Sequence, residues 1–261
     1  MPKVNKTVKP ALVFRGKGHV EKIEKEQYDK GVDVYFQSCA WMNEEVNMKW
    51  VRETLVPAIG NEQDEKVIFT DNVGFQQSKT FHQECRNEIN ISVYMLPENH
   101  TDKVQPIDAG CGKMMKTKIA AEMEKSLEED QNLEKWHDKI SAKERRVLMT
   151  KWTAAAWKEL CQYKNFFGRL FEKTGCLIIV DGSEDHKISP QGLENYRVHL
   201  GSLVNSQVKL IHKMYYTRTG QTASTVQTIS LLKQYVSFII KKVYIFFHSC
   251  EKHFLLFIRI S

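Results

Sequence analysis

The run Lys66-Val67-Ile68-Phe69-Thr70-Asp71-Asn72 constrains the fold of this chain more than any other segment. Its apolar residues are continuous rather than alternating, which marks a buried strand of the kind found in sheets covered by helices. The strand runs straight into an acid. An aspartate at the end of a parallel strand projects into the crevice where α/β sheets bind their ligands. A second acid, Asp108, closes the segment Leu96-Pro97-Glu98-Asn99-His100-Thr101-Asp102-Lys103-Val104-Gln105-Pro106-Ile107-Asp108. Pro106 fixes the approach there, and a helix should begin at or just after the acid.

The flanking text supplies the rest of a layered domain. Ala11-Leu12-Val13-Phe14 reads as a short strand closed by Gly16 and Gly18, and Val32–Phe36 alternates as a second strand. Asn43 is an N-cap for a helix over Glu44–Ile59, with acids in its first turn and Val46, Trp50, Val51, Leu55 and Ile59 on one face. Gln77–Asn87 reads as a helix and Ile89–Leu96 as another strand. Strand and helix therefore alternate, which predicts an α/β layer around a central sheet. Beyond it, a helix runs from Asp108 through Met123, and Glu122–Asp138 is its charged, solvated continuation. Lys143–Tyr163 is amphipathic through Val147, Trp152, Ala156 and Leu160, and Phe166, Phe167, Leu170 and Phe171 extend the apolar surface.

Charge divides the chain. Its formal charge is +6, yet residues 195–261 hold nine Lys or Arg against one acid, Glu251, so the basic excess lies in the tail. Such a tail attracts nucleic acid or an anionic surface without specificity. Val243-Tyr244-Ile245-Phe246-Phe247 is β-branched and aromatic, the pattern of an aggregation-prone segment when exposed. A genuine strand pair and non-coding sequence read through in translation both fit it. Lys233, Lys241 and Lys242 interrupt the apolar stretch Ile229–Phe247, which argues against a membrane span. Cys39, Cys85, Cys111, Cys161, Cys176 and Cys250 form no CxxC pair, which argues for reduced, mostly buried thiols. The first residues lack an apolar core and read as no signal peptide.

Chemistry centres on the two aspartates. Carboxylates brought close repel one another unless a cation joins them. Oxygen-only ligands suit Mg2+ or Mn2+, and a pair of such ions can activate water for in-line displacement at phosphate. Lys113, Lys116 and Lys118 follow Asp108 and could meet a nucleic-acid backbone. A strand-terminal aspartate is also a common turn or capping residue, and Asp108 suits that role too.

Thr70-Asp71-Asn72 after the apolar strand, Leu96-Pro97-x-Asn99-x-Thr101 and Gln105-Pro106-Ile107-Asp108 together resemble the DDE-superfamily endonuclease domain of pogo, Tigger and Jerky-type transposases. Ala11–Gly18, Ala40-Trp41-Met42, Trp50, Trp157-Lys158 and Asp181-Gly182-Ser183-Glu184-Asp185 support the resemblance, which covers roughly residues 9–197. It implies an α/β, RNase H-like fold with an incomplete central mixed sheet flanked by helices, followed by a helical segment. The expected division is a partial endonuclease domain at 9–125, a helical extension at 126–197 and a basic tail of doubtful structure at 198–261.

The same resemblance implies Mg2+ or Mn2+, DNA as partner and a nuclear location. In that family three carboxylates hold two ions; Asp71 matches the second and Asp108 the third. The first lies on an earlier strand, upstream of the segment where this sequence starts, and Asp29 and Asp33 fall in the wrong element. Where the family often carries a histidine, this chain has Gln76, and the family's N-terminal helix-turn-helix modules are missing. The expectation is therefore a truncated, transposase-derived, nucleic-acid-binding protein without catalytic activity. The alternative is a domesticated, non-enzymatic DNA-binding or chromatin protein.

Other residues carry blander readings. His82, His100, His137 and His186 lack metal-ligand spacing, and the five tryptophans Trp41, Trp50, Trp136, Trp152 and Trp157 read as packing residues. Lys143-Glu144-Arg145-Arg146 reads as a solvated helix face rather than an import signal, and Gly16-Lys17-Gly18 is too short for a phosphate loop. Asp181, Glu184 and Asp185 read as a solvated acidic turn.

Overall fold

The computed structural model describes residues 8–60, 66–97, 104–128, 136, 140–163, 165–178, 183–190 and 193, together with the backbone of Val243–His248 and Phe254–Ile260. Asn99, His100, Thr101, His137 and Asp181 lie outside the described residues, as does most of the tail.

Strand β1 (Ala11–Arg15) passes through a short helix α1 (Lys22–Gln27) to β2 (Asp33–Gln37), and the two strands pair in parallel. A long helical run follows, as α2 (Glu44–Trp50), a π turn (Val51–Leu55) and α3 (Val56–Ile59). Asn43 caps it as its sequence position predicts, its side chain accepting from the Val46 amide at 2.9 Å. The π turn precedes Pro57, whose missing N–H and bulky ring disfavour an unbroken α-helical ladder.

Next come β3 (Lys66–Thr70), α4 (Lys79–Ile89) and β4 (Ile91–Met95), a second parallel βαβ unit. Helix α4 starts two residues later than its apolar pattern suggests. Ser78 takes the cap, its hydroxyl accepting from the Phe81 amide at 3.1 Å. The helical part comprises α5 (Gly112–Glu128), α6 (Ala142–Leu160) and α7 (Phe166–Lys173). Ser141 and Glu144 form a reciprocal capping box at the start of α6. Ser141→Ala is expected to lower stability by about 1 kcal/mol, read as a shift in the urea midpoint at unchanged slope.

Two stretches of the tail, β5 (Val243–His248) and β6 (Phe254–Ile260), are strands of the same sheet. The order is β2-β1-β6-β5-β3-β4. Strand β6 runs antiparallel to both β1 and β5, while β5 is parallel to β3. Five strands therefore share one direction, and β6 alone opposes them. The sheet is mixed, and the four parallel-paired strands β1 to β4 place their carboxyl ends along one edge.

Two apolar clusters cover the two faces. On one, Ala11, Val13, Tyr35, Ile68 and Ile91 pack against Val46, Trp50, Leu55 and Ile59 and against Phe81, Cys85 and Ile89 of α4. On the other, Phe69 and Leu96 pack against Met115, Ile119, Trp152, Trp157, Leu160 and Phe171. Ile68 and Phe69 sit on opposite sides because successive strand residues alternate, and burial on both sides explains the continuous apolar run. This is a three-layer α/β/α arrangement.

Polar ties fasten the layers. Glu24 of α1 is buried, and its carboxylate takes both Arg146 Nε and Nη2, at 2.6 and 3.0 Å, while Tyr28 Oη donates to it at 2.5 Å. The guanidinium beside Glu24 holds that carboxyl below its ordinary value, and burial pushes the Tyr28 phenol up to about 12. Arg146 thus belongs to an internal clamp, and beside it Lys143 meets the exposed Glu21 at 3.1 Å. Thr54 Oγ1 donates to Asp33 Oδ2 at 2.8 Å and meets Tyr35 Oη at 2.7 Å, tying the π turn to β2.

The five tryptophans do not share one role. Trp50, Trp152 and Trp157 are buried, whereas Trp41 is 47% exposed at the turn after β2. The expectation that Trp41 packs is therefore corrected: Ala40 adopts a left-handed conformation (φ 57°), and Trp41 follows it at the surface.

Candidate metal centre at the carboxyl edge of the sheet

Asp71 is the residue after β3 and is partly buried. The backbone around it is fixed by β4. The Leu96 amide donates to the Thr70 carbonyl at 2.8 Å, and Asn72 Nδ2 donates to the Leu96 carbonyl. Asp71 Oδ1 accepts from the Asn72 amide at 2.7 Å. Gln77 Nε2 in turn donates to the Asn72 carbonyl at 3.0 Å. Thr70-Asp71-Asn72 is thus held as a strand end rather than a loose turn, which is what a ligand-bearing carboxylate requires.

Asp108 is exposed and stands in a π turn, Ile107–Cys111, that leads into α5. The sequence suggests a plain helix start there. Gly110 departs from it with a φ of 146°, a conformation that an L side chain rarely adopts. The backbone bends as a result, and α5 proper begins at Gly112. The Asp108 amide donates to the Gln105 carbonyl at 3.0 Å, so Gln105 rather than an aspartate side chain opens the turn. Ile107 is buried in the same apolar cluster as Phe69 and Leu96. The residue before Asp108 and the residue two before Asp71 therefore share one core, which anchors both acid-bearing segments to the same part of the fold.

Each of those segments also buries an amide side chain that lacks a protein partner. Gln76, five residues after Asp71, has both Oε1 and Nε2 unpaired, and Gln105, three before Asp108, has Nε2 unpaired. A buried unsatisfied amide is uncommon and calls for a water or an ion. Asp71 and Asp108 supply oxygen donors of the kind a hydrated hard cation takes. The fit is partial, because no group of three His, Cys, Asp or Glu side chains able to hold a metal occurs among the described residues. Asp29 and Asp33 are engaged elsewhere. Asp29 Oδ1 accepts from the Gly31 amide at 2.8 Å, and Asp33 takes Thr54 and, at 3.9 Å, Lys9.

The lysines divide. Lys113 and Lys116 are exposed. Lys118 is turned inward on α6, its Nζ donating to Glu159 Oε1 at 2.5 Å and Tyr163 Oη at 3.0 Å and lying 4.9 Å from the Tyr163 ring centroid. Glu159 holds that ammonium's pKa above its ordinary value. Spacing after Asp108 could not reveal this, because Glu159 is 41 residues away.

A second basic feature was not legible in the sequence. An open cavity of about 450 Å³ beside β2 is lined by Lys9, Lys17, Lys25, Lys30 and Lys49, with Asp29, Asp33 and Glu45 among them. Its lysines come from separate elements, so no local cluster announces it. His82 has a bland role, its Nε2 lying 2.8 Å from the Gln76 carbonyl oxygen. Among the described residues no helix is long and apolar enough to cross a membrane. All five described cysteines are free, and only Cys39 is exposed.

A family model, that of the DDE superfamily endonuclease, matches residues 4–167. No curated protein and no solved structure matches the chain. Endonucleases of this family generally use divalent metal ions, and a nuclease domain implies nucleic-acid binding. An aspartate at the end of a buried parallel strand, a second anchored through the same core and a match over more than half of the sequence agree: the chain belongs to the DDE superfamily endonucleases.

Proposed function

We propose that this protein is a transposase-derived endonuclease relative of the pogo, Tigger and Jerky type, with an RNase H-like sheet, that binds DNA and holds a divalent cation without cleaving the strand. The observation that carries this reading is the anchoring of Asp71 and Asp108 through Phe69, Leu96 and Ile107 of one core cluster. The resemblance gives these acids the second and third places of a triad. No further described carboxylate stands with them, since Asp29 and Asp33 are used within β2 and its approach. Mg2+ or Mn2+ would be held at Asp71 and Asp108 and would supply Lewis-acid polarisation of a phosphate oxygen. With two charges instead of three facing the ions, affinity falls and the developing charge of an in-line displacement is poorly met. Asn72 and Gln105 keep the two strand and turn ends in place.

Lys113 and Lys116 are the exposed phosphate contacts of this reading, and Lys118 supports the α5–α6 contact instead. The lysine-lined cavity beside β2 favours a second reading, a domesticated non-enzymatic DNA-binding protein. A nuclear location follows from either reading.

The test uses the full chain with supercoiled plasmid and Mn2+. Binding that weakens with salt is expected, with the slope of log affinity against log salt reduced by about two units in K113A/K116A. Nicking no greater than that of Asp71→Ala is the expected outcome of the cleavage assay. Nicking by the wild type that Asp71→Ala abolishes would show the protein to be an active nuclease, and salt-insensitive binding would remove DNA as its partner.

A further inference from the structure

Strand β2 is the outermost strand at one end of the sheet, and β3 and β4 lie at the other. The Asp33 amide donates to the Pro10 carbonyl and the Gly16 amide to the Gln37 carbonyl, each at 3.0 Å. In this parallel ladder Asp33, Tyr35 and Gln37 therefore turn their main-chain groups toward β1, and Val34 and Phe36 turn theirs outward. Among the described residues nothing pairs with those outward amides and carbonyls. This open edge, residues 32–36, is one wall of the lysine-lined cavity. Cations flank it on both sides. Lys25 and Lys30 belong to α1 and the turn after it, and α1 is tied to α6 on the face where Val34 packs with Ala154. Lys49 is on α2, on the face where Tyr35 packs with Val46. Lys17, Lys25 and Lys30 are exposed and form no ion pair among the described residues. Two of the acids in the lining are already engaged, Asp29 by the Gly31 amide and Asp33 by Thr54 and Lys9.

We propose that the open edge of β2 is the docking site for an extended, acidic peptide segment of a partner protein. The segment adds a strand to the sheet and sets its carboxylates among the lysines. Main-chain hydrogen bonds supply affinity in such strand addition, and the flanking charges supply selectivity. The edge decides between a peptide and a nucleic acid. A phosphodiester backbone offers acceptors alone, so it answers the lysines and the two outward amides but leaves the Val34 and Phe36 carbonyls unmet. An extended peptide offers an N–H and a C=O in alternation and meets all four groups. The charge of the cavity suits either partner, and the strand edge favours the peptide. An edge strand of this kind is commonly blunted by a lysine or proline within it, and β2 (Asp33–Gln37) contains neither. The lysines stand around the strand instead, where they leave pairing free and select its charge. The proposal is independent of Asp71 and Asp108.

The test uses the full chain and a fluorescein-labelled, end-capped peptide of alternating valine and glutamate, about eight residues long, with binding read by anisotropy. The peptide is expected to bind, and its valine-lysine counterpart is not. N-methylation of the peptide's amides keeps every charge and removes the main-chain donors, and should weaken binding roughly tenfold or more. K25E/K30E should weaken it by a similar factor. Val34→Pro removes one outward N–H from an edge strand, where proline is tolerated, and should weaken it too. Urea midpoints establish that the variants fold, and the N-methylated peptide tests the edge on the unaltered protein. Equal affinity for the methylated and unmethylated peptides overturns strand addition, because charge alone then holds the peptide. Absence of peptide binding, or binding unchanged in K25E/K30E, overturns the proposal outright. An oligonucleotide that binds the wild type, fails to bind K25E/K30E and is not displaced by the peptide assigns the cavity to phosphates and overturns it as well. None of these outcomes alters the reading of Asp71 and Asp108, which the plasmid assay tests separately.

Discussion

Arg146→Ala is expected to destabilise the protein by about 3 kcal/mol, because it leaves the buried carboxylate of Glu24 without its cation. The side chain of Glu24 is 4% exposed and that of Arg146 21%, so the carboxylate is the more deeply enclosed partner. Arg146 meets it through two nitrogens, and Tyr28 adds a hydroxyl. The sign of the pH dependence separates this from simple loss of packing. Arg146 lowers the folded-state pKa of Glu24 below the ordinary value of 4.5. A depressed carboxyl contributes stability above its unfolded pKa and loses it as pH falls through the folded value. With Arg146 removed, the largest cause of the lowering is gone while burial, which raises the pKa, remains, so the pH-dependent contribution shrinks. Wild type should therefore lose stability on acidification below about pH 4.5, while the deficit of Arg146→Ala should narrow over the same range. Urea midpoints at pH 7 and pH 4 check both. A deficit that stays constant between the two pH values would refute the assignment of Glu24 as the stranded charge.

Trp50→Ala should cost about 4 kcal/mol, since a fully buried indole is replaced by a cavity that its neighbours cannot fill. Trp50 is 0% exposed and packs in the cluster formed by Val13, Ile68, Phe81 and Ile91, so it joins the helical layer to the sheet. Trp41→Ala removes a side chain of the same size from a surface turn and should change stability by less than about 0.5 kcal/mol. Fluorescence-monitored urea unfolding of the pair measures the contrast. Equal losses would refute the surface placement of Trp41.

The comparison between sequence and structure turns on how far each signal reaches. The strand Lys66–Thr70 has the bounds its apolar run suggests, because burial on both faces leaves no competing period. Helix formation across Glu44–Ile59 is equally legible, since the cap and the apolar face are local. The short helix Lys22–Gln27 was not, because it has six residues, no side-chain cap bond and only one buried residue, Glu24. Its stabilising partner, Arg146, is 122 residues away. The start of α5 escapes the sequence for a different reason. A proline and an acid announce a helix, but the left-handed glycine at position 110 first turns the chain through a π turn.

The candidate site divides in the same way. Asp71 could be singled out from one segment, because strand, acid and following asparagine are contiguous. The engagement of Lys118 by Glu159 and Tyr163 could not be read from the sequence around Asp108. Gln76 and Gln105 look like ordinary polar loop residues in sequence and become informative once their amides prove buried and unpartnered.

By itself the sequence determined the alternation of strands and helices, the two covered faces of β3 and the place of Asp71 at that strand's end. Those properties follow from residue order over a few positions, where side-chain period and burial preference act directly. Tertiary structure alone decided that two strands from the tail lie between β1 and β3, opposite partners such as Val67 that are far away in the chain. Backbone hydrogen bonds that pair such strands are the same for nearly any residues. Their register is set by which apolar faces the whole fold can bury, and no short stretch of sequence states that.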